Sequence, residues 1–243
     1  MKFCILIPAR YGSTRFPGKP LADLGGMSII QRVWVAAASC SGHSGIAVAT
    51  DDVRIESHVN SFGKAIITDT HHPSGTDRCM EAYEKSGFEA DVVVNLQGDE
   101  PFIKMEQIMS LASMFENPEV QIATLMKVIK TASEVDNSNV VKVVTDIHNK
   151  ALYFSRSRIP FSRENDSEPT YYRHIGMYAY RTDVLGSITR LRPSRLELTE
   201  KLEQLRWLEN GYHIAVAETG WQSPAVDTPE DLEKAKDFLT NQP

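Results

Sequence analysis

Five apolar residues, Phe3 to Ile7, run straight into Pro8, and the segment behind them holds Gly12, Pro17, Gly18 and Pro20. A continuous apolar run of this length bounded by breakers reads as a buried strand. Pro and Gly prolong neither strand nor helix, so the strand hands over to a stiff loop. That loop carries Arg10, Arg15 and Lys19. In an open α/β sheet, ligands gather at the carboxyl ends of the strands. Three cations on a loop at that edge point to a polyphosphate, because Arg forks suit phosphate oxygens and Lys supplies a point charge. One cation alone would read as a solvated basic loop; two Arg and a Lys, held by two prolines, favour phosphate.

Two familiar phosphate loops do not fit. G-x-x-x-x-G-K-[ST] asks for Gly where Ser13 stands and for Ser or Thr where Pro20 stands. The dinucleotide fingerprint G-x-G-x-x-G is absent.

Alternation of periods then sets the fold class. Ile29, Ile30, Val33, Trp34 and Ala37 recur at helical spacing, predicting a helix from about Ser28 to Ser39. Ile46 to Ala49 reads as a strand that ends at a helix cap, Thr50-Asp51-Asp52, with Ile55, Val59 and Phe62 as the stripe behind it. Ala65 to Ile67 is a third strand. The β-α-β-α-β order argues an α/β fold with a parallel sheet and helices on its faces. A chain of 243 residues accommodates this as one domain, 1–243. A net charge of -6 speaks against a nucleic-acid partner, so the cations that matter act locally. Cys4, Cys40 and Cys79 are far apart and form no C-x-x-C, which reads as reduced, mostly buried thiols of a cytoplasmic protein. The N-terminal apolar run is too short for a membrane span.

Further along, His72-Pro73-Ser74-Gly75-Thr76-Asp77-Arg78 opens another helix. Its free backbone N–H groups suit a nucleotide base or an anion, and it reads equally as a capped turn. His71 and His72 read as surface loop residues. Asp91 to Leu96 is an apolar strand of the mid-sheet kind that runs into Gln97-Gly98-Asp99-Glu100-Pro101 and so brings Asp99 to the ligand edge. Glu100 remains open as a helix N-cap. Ile122 to Ile129, Val140 to Val144 and Ala151 to Phe154 are further strands, the last two a hairpin around His148-Asn149-Lys150. Ser155 to Pro160 is a basic turn, and the polar stretch 162–172 is expected to be mobile or to lie at a subunit boundary. His174, Gly176, Tyr178 and Tyr180 alternate onto one strand face, as a core, an interface or a polar pocket.

A helix from Leu196 to Glu209 is expected to bury Leu198, Leu202, Leu205 and Leu208. Glu200, Glu203, Gln204 and Trp207 then fall on a second stripe, which on its own reads as a solvated face. Ile214 to Ala217 is a strand, and Val226-Asp227 reads as a strand end before a strong helix start at Thr228-Pro229 with Asp231 in a box-like position. That cap leaves Asp227 for other work.

The blocks from Ile7 to Leu21, Thr50 to Asp52, Ser74 to Arg78, Asn95 to Pro101, Val141 to Val144, Ala151 to Arg156, His174 to Arg181, Leu202 to Arg206 and Val226 to Leu232, in this order and spacing, resemble the 3-deoxy-D-manno-octulosonate (Kdo) cytidylyltransferases. The resemblance covers essentially the whole chain. It implies a Rossmann-like three-layer nucleotidyltransferase fold: a mostly parallel central sheet, helices on both faces and a small β lobe. It implies transfer of CMP from CTP to the anomeric hydroxyl of Kdo, giving CMP-Kdo and pyrophosphate for bacterial lipopolysaccharide. Arg10, Ser13, Arg15 and Lys19 would hold the triphosphate, and Ser74, Gly75 and Arg78 the cytidine and phosphate side, with Gln97 between nucleotide and sugar. Asp99 and Asp227 would bind Mg²⁺. Arg156, His174, Tyr178, Glu203 and Gln204 would line the sugar pocket, and no side chain would act as a dedicated base. A homodimer is implied, with residues 151–180 as its expected interface.

Overall fold

A computed structural model describes residues 1–163, 169–222 and 224–240. The chain divides within a helix into two compact units, Met1–Met109 with the C-terminal segment, and Ser110–Gln222.

The first unit is built on a parallel sheet. β1 (Phe3–Ala9) is followed by a short hairpin of β2 (Asp23–Leu24) and β3 (Met27–Ser28), then α1 (Ile29–Ala38), β4 (His43–Thr50), α2 (Val53–Val59), β5 (Ala65–Ile67), α3 (Gly75–Ser86), β6 (Val92–Asn95) and α4 (Met105–Ser113), in which the division falls. The strand order is β6-β1-β4-β5, all parallel. Successive residues of a strand point to opposite faces, and Cys4, Ile5, Leu6 and Ile7 are all fully buried. Both faces of β1 are therefore covered, and α1 and α3 pack against it.

β1 continues through Pro8, where the sequence predicted a stop. Leu6 O accepts from Leu96 N on the β6 side, and alternation turns Pro8 to that side too. β6 has already ended there, so the missing N–H of proline costs no ladder bond. The helix predicted from Ser28 is present, with the Ser28 hydroxyl accepting from Gln31 N at 3.2 Å. The β2–β3 hairpin was not anticipated; its turn residues Gly25 and Gly26 both have positive φ, the backbone a two-residue hairpin turn requires. α4 begins at Met105 rather than next to Pro101, so Glu100 is not its cap. The unit closes with the C-terminal helix Pro229–Thr240.

The second unit carries β7 (Ile122–Val128), α5 (Ala132–Asp136), β8 (Lys142–Thr145), β9 (Ala151–Ser155), β10 (Tyr172–Arg181), α6 (Thr182–Ile188), α7 (Arg195–Glu200), α8 (Gln204–Glu209) and β11 (Ile214–Glu218). β11 pairs parallel with β7, and β7, β10, β8 and β9 pair antiparallel in that order. The predicted hairpin is β8–β9, with Asn149 at φ 56° in its turn. Of the polar stretch 162–172, residues 164–168 lie outside the described residues.

The single helix expected over 196–209 is two. Lys201, at φ 55° and ψ 47°, adopts the left-handed conformation that ends α7. The break turns Leu198 outward, 54% exposed, and carries Trp207 into the core at 1%. Val226 belongs to no strand. It is fully buried all the same, and its N–H donates to Asp99 O at 3.1 Å; its apolarity marks an anchor rather than a sheet position.

Candidate functional site

The carboxyl ends of β1 and β6 open a cavity in the first unit lined by Arg10, Ser13, Arg15 and Lys19 from the loop after β1, by His72, Ser74, Gly75 and Arg78 around the start of α3, and by Gln97, Asp99 and Asp227. Pro8, Ala9, Pro20, Pro73 and Gly98 complete the lining, and the four Arg and Lys side chains among the rest suit it to an anionic, hydrogen-bonding ligand.

Lys19 sits in its middle. Its side chain is 11% exposed, and its ammonium donates to Asp99 Oδ2 at 2.7 Å and to Asp227 Oδ1 at 3.1 Å. Arg15 reaches the other oxygen of Asp227 at 3.2 Å. Two cations and two carboxylates thus interleave at the strand ends. Local backbone explains the convergence. Gly98 lies so close to β1 that a Cβ there would stand 2.7 Å from Pro8 O, and only glycine permits the approach that puts Asp99 beside Lys19. The bond from Val226 N to Asp99 O ties the second acid to the first. Behind it, Thr228 and Asp231 form the expected reciprocal cap at 3.2 and 3.1 Å, and the Asp227 side chain takes no part in it.

The two acids suit Mg²⁺, a hard ion that takes one or two carboxylates and completes its shell with phosphate oxygens and water. Both already share one cation, the Lys19 ammonium. Among the described residues no group of three or more His, Cys, Asp or Glu gathers as a metal site, and a pair of oxygen donors fits magnesium better than zinc.

Ser74 caps α3, its hydroxyl accepting from Asp77 N at 3.2 Å. Arg78 lines the cavity but is 5% exposed, and its guanidinium donates to Thr68 Oγ1 at 2.5 Å and Asp51 Oδ2 at 3.0 Å. It braces the wall it belongs to. His72 is the cavity residue that the sequence reading assigned to the surface. Its Nε2 contacts Glu81 Oε2, which also accepts from Asp69 N at 2.8 Å. Burial opposes ionisation of Glu81, but hydrogen bonds from Lys85, Asp69 and His72 outweigh it and pull its carboxyl down to about 2. A His immediately before a helix-opening turn was the available signal. His71 is exposed, as expected.

The second unit gathers the remaining candidates. The His174 ring packs against Phe154 and Tyr178 with centroids 5.1 and 5.3 Å away, and its Nε2 meets Thr124 Oγ1 at 2.9 Å. Burial, with Arg173 beside it, pushes this imidazole down to about 3, so it is neutral at physiological pH. Pairing of β10 with β7 jumps between Ile175 and Tyr178. The two extra residues preserve alternation, which keeps His174 and Tyr178 on one side. Tyr178 packs edge-on to Trp207 at 5.1 Å, and burial followed by the charge of Glu203 raises its phenol well above the usual value. Glu203 accepts from Arg206 at 3.2 Å, and Gln204 beside it is buried. Arg156, at the end of β9, donates through Nε to Glu200 O at 2.8 Å and through a terminal nitrogen to Ser138 O at 3.1 Å. Glu200 in turn accepts from Ser155 Oγ and Arg156 N at 2.6 and 3.0 Å. Trp207 was not among the expected pocket residues. Its indole N–H is buried with no partner among the described residues.

Residues 4–215 match the family described as cytidylyltransferase. A 3-deoxy-manno-octulosonate cytidylyltransferase of Bacteroides thetaiotaomicron is 54% identical over 99% of both chains. An 8-amino-3,8-dideoxy-manno-octulosonate cytidylyltransferase of Shewanella pealeana is 48% identical over 99% of both. A solved CMP:2-keto-3-deoxy-manno-octonic acid synthetase complexed with CTP superposes with a TM-score of 0.94 at 45% identity, covering 99% of each chain. The fold is shared more widely, with a TM-score of 0.62 at 13% identity to the 4-diphosphocytidyl-2C-methyl-D-erythritol synthase of Anaerococcus prevotii over 99% of each chain.

Proposed function

The chain belongs to the cytidylyltransferase family, and from that premise we propose which residues serve the transfer of CMP from CTP to 3-deoxy-D-manno-octulosonate. The chain makes CMP-Kdo for lipopolysaccharide; full-length relatives of about half identity are 3-deoxy-manno-octulosonate cytidylyltransferases. The sugar's anomeric oxygen forms a bond to the α-phosphorus of CTP and gives up its proton to water, while the bond from that phosphorus to the oxygen bridging to the β-phosphate breaks and pyrophosphate leaves.

Phosphoryl transfer leaves a protein little covalent chemistry, so its work is positioning and charge neutralisation. Arg10, Arg15 and Lys19, with Ser13, hold the triphosphate. Ser74, Gly75 and Gln97 fit the nucleoside side, and Arg78 keeps that wall rigid from its bonds to Thr68 and Asp51. Asp99 and Asp227 would hold Mg²⁺, which when bound neutralises phosphate charge and lowers the pKa of a hydroxyl near it. In the second unit, Arg156, His174, Tyr178, Glu203 and Gln204 would receive the sugar. A neutral His174, its Nε2 held by Thr124 Oγ1, adds no charge to that surface, and the Trp207 N–H offers one more donor to a sugar oxygen. No side chain is assigned as a dedicated base.

The observation that carries this reading is the Lys19 ammonium lying between Asp99 and Asp227 in a cavity with Arg10 and Arg15. A cytoplasmic homodimer belongs to the same proposal. It is supported by three free, buried cysteines and by the apolar Leu152 and Phe161, 61% and 83% exposed, in the stretch 151–180. Among the described residues no helix is long and apolar enough to cross a membrane. The test is pyrophosphate release from each nucleoside triphosphate against a panel of acidic sugars that includes the 8-amino analogue of Kdo. Turnover confined to CTP with Kdo is expected; turnover with the amino sugar alone would reassign the second unit's pocket, and none with either would end the proposal.

A further inference from the structure

Of the turn Thr50-Asp51-Asp52, the proposed reaction uses Asp51 as a brace for Arg78 and gives Asp52 no part. Asp52 does cap α2, accepting from Arg54 N at 2.9 Å. The same carboxylate also takes a forked bond from the Arg54 side chain, Nε to Oδ1 at 2.9 Å and a terminal nitrogen to Oδ2 at 2.6 Å. Held in this way, the guanidinium lies 3.3 Å over the centroid of the Tyr11 ring.

Tyr11 sits at the root of the loop that carries the phosphate-binding cations. Its carbonyl accepts from both Ser13 N and Gly18 N at 2.9 Å, closing the loop on itself. Its ring covers Gly18 so tightly that a Cβ there would meet the ring carbon and hydroxyl at 3.0 Å. Gly18, at φ 73°, is the residue that turns the chain into Lys19, and Lys19 is the cation between Asp99 and Asp227. A continuous line of contacts therefore runs from Asp52 through Arg54 and the Tyr11 face to Gly18 and Lys19.

We propose that the Asp52–Arg54–Tyr11 stack is a latch that sets the triphosphate loop in its binding conformation, with Arg54 and Tyr11 as positioning residues that touch no substrate. The inference rests on the reading of the cavity as the CTP site. Arg suits the role because its planar group forks onto a carboxylate on one edge while stacking on a ring with its face; Lys does neither. The stack leaves the cavity itself untouched, so its loss acts on CTP and not on the sugar.

CTP affinity measured by calorimetry on the full chain without sugar, alongside thermal midpoints, tests the latch whichever sugar the enzyme takes. Arg54→Ala is expected to weaken CTP about fivefold, in line with one exposed cation–π contact, and Tyr11→Leu about tenfold because it also uncovers Gly18. Tyr11→Phe keeps the ring and stays within about twofold of wild type. Asp52→Asn keeps the cap but loses the charged fork and follows Arg54→Ala. Arg54 works through Tyr11, so Arg54→Ala combined with Tyr11→Leu binds CTP no more weakly than Tyr11→Leu alone. The inference is overturned if Arg54→Ala and Asp52→Asn move only the thermal midpoint, or if the losses of Arg54→Ala and Tyr11→Leu multiply. A wild-type chain that binds CTP but releases no pyrophosphate with any sugar would sink the proposed reaction and leave the latch standing.

Discussion

Asp99 and Asp227 share one ammonium: Lys19 Nζ stands 2.7 Å from the first and 3.1 Å from the second. The acids are far apart in the sequence, one from the loop after β6 and one from the approach to the C-terminal helix. Their meeting is secured by backbone, through the bond from Val226 N to Asp99 O and the glycine-only approach of Gly98 to Pro8. A carboxylate pair spaced to share one cation fits the divalent ion proposed to carry the polyphosphate.

Gly98→Ala tests that approach. The added Cβ would lie 2.7 Å from a backbone oxygen, which has no rotamer with which to yield. A destabilisation of roughly 1–3 kcal/mol is expected from such overpacking, with turnover falling further than stability because Asp99 moves. Unchanged melting together with unchanged turnover would show that the contact is not needed.

His174 gives the stability a pH dependence of known sign. Its folded value of about 3 lies below its ordinary value, so below about pH 6.5 the unfolded chain binds the proton more readily. The stabilisation is complete above about pH 6.5 and is lost progressively as pH falls toward 3; by pH 5 the loss is ~2 kcal/mol. Urea midpoints at pH 7 and 5 should therefore lie closer together in His174→Gln than in wild type. An equal drop in both would remove His174 as the cause.

How far the chain could be read in advance follows from where local chemistry decides. The β6 run, the helix start near Ser28, the Thr228 cap and the β8–β9 hairpin each carry their own signal and formed as read, whereas β1 runs past its expected stop at Pro8. Asp99 was reachable because an apolar strand delivers its next polar residues to the sheet edge. Asp227 stood out once Thr228 and Asp231 accounted for the cap. Lys201 gave no warning: a lysine in left-handed conformation has no compositional mark, so α7 and α8 read as one helix and Trp207 was misplaced onto a polar stripe. His72 was missed because its neighbour Glu81 lies a helix turn and a loop away, and only folding shows which way the imidazole faces.

Lys201 offers a test of that break. The left-handed backbone costs a non-glycine residue roughly 1–2 kcal/mol, so Lys201→Gly should raise the thermal midpoint, less the entropy that glycine adds to the unfolded chain. A lowered midpoint would mean that the lysine side chain contributes more than the backbone loses.

Glu200 fastens the end of β9 to the end of α7 through Ser155 Oγ and Arg156 N. Glu200→Ala strands both donors and should cost about 1–3 kcal/mol of stability. If Arg156 serves the sugar, KM for Kdo should rise while the CTP affinity stays as it was. A rise in both would place the effect elsewhere.

The most direct measurement is a double-mutant cycle on turnover at saturating Mg²⁺, with Asp99→Asn, Asp227→Asn and the pair together. One shared ion site predicts that each single change lowers kcat at least about a hundredfold, and that the double variant is scarcely worse than either, as expected of groups acting as a unit. Either single variant within about tenfold of wild type, or losses that multiply in the pair, would show that the two aspartates do separate work.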